Sequence, residues 1–166
     1  MSSLDVFTGM SSLGCRNRRG WFRRPVMNEI REVIERKAAL LSTGDAEAVL
    51  SHYADTIVEY NLAPPLRQPG DARDPAALKA WIATFREPPR REVTQLEITV
   101  DGDVAFATSI DCLSATPLGA EQGFTMWFRV TLGLRRVGGR WVVVHEHESV
   151  PFEMDGSFQA AVGLQP

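Results

Sequence analysis

A chain of 166 residues, 44% hydrophobic and 23% charged, has the make-up of one ordinary globular domain, not of a disordered or fibrous protein. A formal charge of −3, a pI near 5.6 and no block of one sign in the folded part exclude the basic footprint of a nucleic-acid binder. Charges interrupt every apolar run well short of the roughly 18 residues that a spanning helix needs, so no membrane partner is expected.

Residues 1–26 are rich in Ser, Gly and Arg, contain Asp5 as their one acid and show no periodicity, so they are expected to be a flexible extension. From Asn28 the pattern is helical: Ile30, Val33, Ile34, Ala38 and Leu41 recur at spacings of three and four. Ser42, Thr43 and Gly44 end this helix, and Asp45 caps a second, from Ala46 to Tyr53. Ile57 to Tyr60 is strand-like. The segment Leu62 to Asp74, with Pro64, Pro65, Pro69 and Gly70, reads as a long surface loop of the kind that borders pockets. Asp74-Pro75 opens a third helix with the stripe Leu78, Trp81, Ile82 and Phe85, stopped by Pro88-Pro89.

Everything beyond reads as strand: Glu92 to Val100, Val104 to Leu113, Phe124 to Val137 and Arg140 to Val150, separated by turns at Asp101-Gly102-Asp103 and Gly138-Gly139 and a loop from Pro117 to Gly123. Helices followed by hairpins predict an α+β domain, a helical layer on a curved, mainly antiparallel sheet that encloses a pocket. Residues 153–166 remain as a C-terminal tail. Two cysteines, Cys15 and Cys112, stand too far apart in sequence to suggest a disulfide framework or a thiolate zinc site, and the expected localisation is cytoplasmic.

The last strand is the most informative for chemistry. Period-2 alternation puts Trp141, Val143, His145, His147 and Ser149 on one face and Glu146 and Glu148 on the other. With a two-residue turn at Gly138-Gly139, Trp141 faces Arg136 and the count pairs His145 with Leu132, Glu146 with Thr131, His147 with Val130 and Glu148 with Arg129. Both histidines then share the apolar, core-facing side. There they could act as acid and base, or be ordinary core histidines bonded to polar partners. A third reading makes His145 and His147 two metal ligands, with Glu59 or Asp111 as the third. The opposite face, Arg129, Thr131, Glu146 and Glu148, reads as solvated ion pairing worth about 0.2 to 1 kcal/mol per pair. A different turn would flip the parity and bring Arg129 beside the histidines as an anion or carbonyl anchor. Asp111 is read as an exposed charge near a strand end, or as a carboxylate base if buried. Trp127 supplies bulk or an aromatic wall. No nucleotide-binding or nucleophile-elbow motif is present, and no cofactor is called for.

Several local patterns carry a family resemblance: Ser42-Thr-Gly-Asp45, His52-Tyr-Ala-Asp55, Asp103-Val-Ala-Phe-Ala107, Arg129-Val-Thr131 and the run Gly139-Arg-Trp-Val-Val-Val-His-Glu-His-Glu-Ser-Val-Pro-Phe152. On these, residues 27–152 resemble the SnoaL-like branch of the superfamily that holds nuclear transport factor 2, ketosteroid isomerase and scytalone dehydratase. The resemblance implies a conical fold in which about three helices close over a strongly bent, mixed sheet. It also implies a mostly apolar cavity and an outer sheet face often used for dimerisation. Aligned on Gly44-Asp45, the isomerase's tyrosine oxyanion donor falls on Lys37 and its aspartate base on Asn61. An asparagine cannot abstract a proton, so Glu59, on the same strand face, or His145 or His147 would have to take that role.

The leading expectation is therefore a pocket protein for a small, apolar, carbonyl-bearing molecule, an isomerase, cyclase or dehydratase working by acid–base chemistry without a cofactor. His145 and His147 are its expected acid–base groups, Tyr53, Glu59, Asn61 and Arg129 its polar contacts and Trp127 a wall. The alternative is a non-catalytic homodimeric binding or assembly module.

Overall fold

The computed structural model describes residues 19–68 and 73–166, and for residues 19–23 the backbone alone. Residues 1–18, which hold Cys15 and most of the expected extension, and residues 69–72 of the expected loop lie outside the described residues. Helix α1 (Arg19–Leu41) starts earlier than the periodicity indicates. Pro25 withdraws one N–H from the helical ladder, and the helix continues on both sides of it. Its inner stripe of Ile30, Ile34, Lys37, Ala38 and Leu41 is buried, as the three-and-four spacing requires. Gly44, at a φ of +74°, ends the turn that follows.

Asp45 caps α2 (Ala46–Leu50), accepting from the Ala48 N–H at 2.9 Å. Tyr53 does not finish this helix but opens strand β1 (Tyr53–Tyr60), because the His52 carbonyl already accepts from the Val143 N–H at 2.9 Å. Helix α3 (Pro75–Ile82) has the expected cap at Asp74 but ends before Pro88-Pro89, where Phe85 leaves it to bridge Pro117. Strands β2 (Arg90–Asp101), β3 (Val104–Ala115), β4 (Phe124–Val137) and β5 (Arg140–Ser149) follow.

The five strands form one sheet in the order β1-β5-β4-β3-β2, with β1 parallel to β5 and the other pairs antiparallel. The sheet is mixed and strongly curled, and three helices among the described residues accompany it, so the α+β cone expected from the sequence is the fold observed. Its concave face presents Ala105, Ala107, Leu113, Phe128, Val130, Leu132, Leu134 and Val143, in one core with Ile30, Ile34 and Leu41 of α1. The register shifts in β2 between Thr94 and Glu97, where Gln95 has a φ of +50°, and on β5 opposite Gly133 and Leu134. Such bulges bend a strand and increase its twist.

The bulge in β5 corrects the expected register. Trp141 does face Arg136, and Val143 faces Leu134, but Gly133 then pairs with His145, leaving Val144 as the extra residue. From there every side chain lies on the face opposite to the one alternation gives: Glu146 pairs with Leu132, His147 with Thr131 and Glu148 with Val130. At the C-terminus, Phe152 bridges Ala160 and Ala161 is buried at 3% exposure, so the expected tail folds back on itself. No helix among the described residues is long and apolar enough to cross a membrane.

Candidate functional site

The consequence of the bulge is a cluster of charges inside the cone. Glu146, 1% exposed, points from β5 at α1 and β1. Lys37 reaches it because it falls in the buried stripe of α1, one turn from both Ile34 and Leu41, and its ammonium forms an ion pair with Glu146 Oε2. Lys37 also donates to the Tyr53 hydroxyl at 3.2 Å, and that hydroxyl donates to the same carboxylate oxygen at 2.5 Å. Lys37 is thus the residue onto which the resemblance carries an oxyanion donor, and it sits beside the buried phenol of Tyr53.

Arg91 enters from the other side of the cone. In a flat sheet β2 and β5 would be three strand spacings apart, roughly 14 Å, beyond the reach of one side chain. The curl brings them together. The Arg91 guanidinium donates from Nε to Asp111 at 2.7 Å, from Nη1 to Glu148 at 2.7 Å and from Nη2 to Glu146 at 3.2 Å. It also lies 5.2 Å from the ring centre of Phe128. Asp111, the expected exposed charge, is 1% exposed and takes a further bond of 2.6 Å from Ser109. Its strand alternation points it inward opposite Phe128.

Glu59 completes the group. It is the β1 partner of Glu146 in the parallel pairing, is half-buried, and its carboxylate makes no hydrogen bond to the described residues. Burial, helped by the negative charges of Glu146 and Glu148 and opposed by Lys37 and Arg91, pushes its carboxyl up to about 7. Burial acts on Glu146 in the same direction. There, however, the charges of Lys37 and Arg91 and the bonds from Lys37 and Tyr53 prevail and hold it at about 2. Glu148 is raised, chiefly by burial. Burial and then Glu146 push the Tyr53 phenol well above its ordinary value, and the three surrounding carboxylates keep Arg91 firmly charged against burial. Two neighbouring carboxyls thus sit at opposite ends of the scale, one permanently ionised and one free to exchange a proton near neutrality.

The sequence-predicted residues divide between two places. Tyr53 and Glu59 belong to the interior group. Asn61, just past β1, accepts from Gln68 Nε2 at 2.7 Å and from the Ala63 N–H at 3.2 Å, so it ties down the start of the following loop. His145 and His147 lie on the outer face, both edge-on to the Tyr60 ring, at centroid distances of 5.6 and 5.9 Å. His147 is exposed, and Arg129 and the half-buried Trp127 share this face. The metal reading fails on geometry, because the His-x-His pair and the carboxylates Glu59 and Asp111 are on opposite sides of the sheet. Reading the sequence missed Lys37, Arg91, Glu146 and Glu148 as interior groups. Two signals were available: a lysine inside an apolar helical stripe, and Gly133 inside a strand, where glycine often marks a bulge.

Residues 30–153 match the model of the SnoaL-like domain. Among curated proteins none matches. Among solved structures, a nuclear transport factor 2-like protein of unknown function from Pseudomonas putida is 31% identical, with a TM-score of 0.73 over 86% of this chain and 97% of that one. A Novosphingobium aromaticivorans protein provisionally named a scytalone dehydratase is similar in fold, with a TM-score of 0.72, 13% identity and coverage of 89% and 99%. So is a nuclear transport factor 2-like protein from Streptomyces avermitilis, provisionally named a dehydratase, at 0.66, 14%, 76% and 97%. The match over most of the chain, the cone and the P. putida relative together make this chain a member of the SnoaL-like family of the nuclear transport factor 2-like superfamily.

Proposed function

We propose that the chain is a cofactor-free pocket protein for a small, largely apolar, carbonyl-bearing molecule, an isomerase, cyclase or dehydratase that works by proton transfer at the interior charge group. The observation that carries this reading is the pair Glu59 and Glu146: a half-buried carboxyl poised at about 7 beside one fixed in its charged form. Glu59 takes the proton from the carbon next to the carbonyl and returns it at the new position. Lys37 and Tyr53, bonded to each other and to Glu146, are the donors of the same group that would receive the carbonyl oxygen. Partly exposed apolar side chains packed against the core, Ile57, Leu62, Leu78, Ile82, Val93 and Met126, are the ones that would wall such a molecule. The provisional dehydratase names of two structural neighbours agree with this class of chemistry.

The test is a thermal-shift and turnover screen of the full chain against flat apolar ketones, lactones and polyketide-like compounds. Turnover should rise with pH through about 7 and be lost in Glu59→Gln. Full turnover in that variant would overturn the assignment.

A second reading, a homodimeric binding or assembly module, draws support from the outer face. One row across it runs Glu97, Thr108, Thr131, His147, Tyr60, with an acid on the edge strand β2 and a histidine on β5, and Glu92 on β2 and Arg129 on β4 add a second acid and a second base. A face of this kind complements itself about a two-fold axis. Sedimentation of the parent as a dimer and of Arg129→Glu as a monomer would support it; a monomeric parent would dismiss it.

A further inference from the structure

The acid–base reading assigns no part to Asp111, which is as deeply buried as Glu146, at 1% exposure. Its surroundings are specific. Ser109 Oγ donates to Oδ1 at 2.6 Å and Arg91 Nε donates to Oδ2 at 2.7 Å, so each oxygen has one partner and neither partner is a main-chain group. The guanidinium is planar, and taking it side-on by Nε fixes the direction of its two terminal nitrogens. Those nitrogens then reach two different carboxylates on β5, at 2.7 and 3.2 Å, while Cζ lies 5.2 Å from the centre of the Phe128 ring. An arginine held only by Glu146 and Glu148 could pivot about that pair. The third hold, from β3, removes the pivot.

We propose that Asp111, braced by Ser109, is a positioning residue that acts through Arg91: it locks the guanidinium so that one terminal nitrogen holds Glu148 and the other Glu146, and so sets where these carboxylates stand relative to Glu59. The inference rests on the interior group being the working site, but its first readout needs no substrate. Three carboxylates from β3 and β5 converge on one cation, and Asp111 is the one of them that comes from β3. Its charge balances Arg91, and its geometry aims it.

The experiment is side-chain nitrogen NMR of Arg91 in the full chain, in the parent and in Asp111→Ala, Asp111→Asn and Ser109→Ala. A locked guanidinium gives an Hε signal protected from exchange and separate signals for the two terminal nitrogens. Asp111→Ala should collapse these to one averaged signal. Asp111→Asn keeps an acceptor for Nε and should preserve them, and Ser109→Ala should broaden them. A folded Asp111→Ala protein that keeps the locked pattern overturns the proposal. Should that variant not fold, an unaltered pattern in Ser109→Ala does the same. Where a turned-over carbonyl compound is in hand, Asp111→Ala should lower kcat about tenfold and Asp111→Asn much less. A parent that turns over none of these compounds defeats the acid–base reading and leaves the NMR result standing on its own.

Discussion

The two faces of β5 show what a single extra residue does to a strand. On the concave side Glu146 and Glu148 are buried among cations; on the convex side His145 and His147 lie against Tyr60 near solvent. Without the Val144 bulge the same sequence would turn its histidines inward and its glutamates outward. The interior side carries charges that cannot be separated from their partners without cost, and the exterior side carries charges that can. Each substitution below presses on that asymmetry.

The largest effect is expected for Lys37→Met, which strips the buried Glu146 of its nearest counter-charge. Breaking one partner of a buried pair costs about 3 to 5 kcal/mol, read from urea unfolding at pH 7. A loss under about 1 kcal/mol would mean the interior is wetter than its burial implies. Next comes Glu59→Gln, with an effect that depends on pH. The folded-state value of about 7 lies above the ordinary 4.5, so the fold holds this proton more tightly than the unfolded chain does. The parent's stability from this group is therefore complete below about pH 4.5 and falls as pH rises through 7. The variant has no proton to lose. It should match the parent at pH 4 and exceed it at pH 8 by about 1 to 2 kcal/mol, after allowance for solvent screening of a partly exposed group. A gap that does not change with pH would break the comparison. The smallest effects belong outside: His145→Ala and His147→Ala should each change stability by about 0.5 kcal/mol or less and leave the Glu59 titration, followed by carboxyl carbon NMR, where it was. Movement of that titration would mean that the two faces communicate through β5.

Much of the fold was legible because it rests on signals that add along the chain. The stripe of α1, the caps Asp45 and Asp74 and the turn at Gly138-Gly139 repeat one message at several positions, and the β4 boundaries follow directly. The site was legible only in part. Glu59 lies in the early strand, where Ile57 to Tyr60 reads as strand and is strand; Tyr53 was expected to end the second helix and reaches the site because it opens β1 instead, ahead of a register shift before Val58. The β5 residues were not legible, because parity is counted from the turn, and one bulged residue reverses everything beyond it. Arg91 and Asp111 were hidden for another reason: their partnership joins β2, β3 and β5 across the hollow of a curled sheet, and no spacing in the sequence encodes that approach. Asp111 read as exposed because a lone aspartate in a strand usually is. Its counter-ion lies 20 residues away in the chain.

The parallel pairing of β1 with β5 also governs when the interior group can come into being. Lys37 and Glu146 are separated by 109 positions and Tyr53 and Glu146 by 93, and β5 is the last strand of the sheet. A nascent chain that has emerged only through β4 holds Lys37, Tyr53, Glu59 and Arg91 with no glutamate from β5 to receive them. Closing so long a loop is slow compared with forming the hairpins β2-β3 and β3-β4. Ordering of the site therefore marks completion of the domain, and a chain cut short before β5 carries two cations in its would-be core without two of the three carboxylates that pair with them.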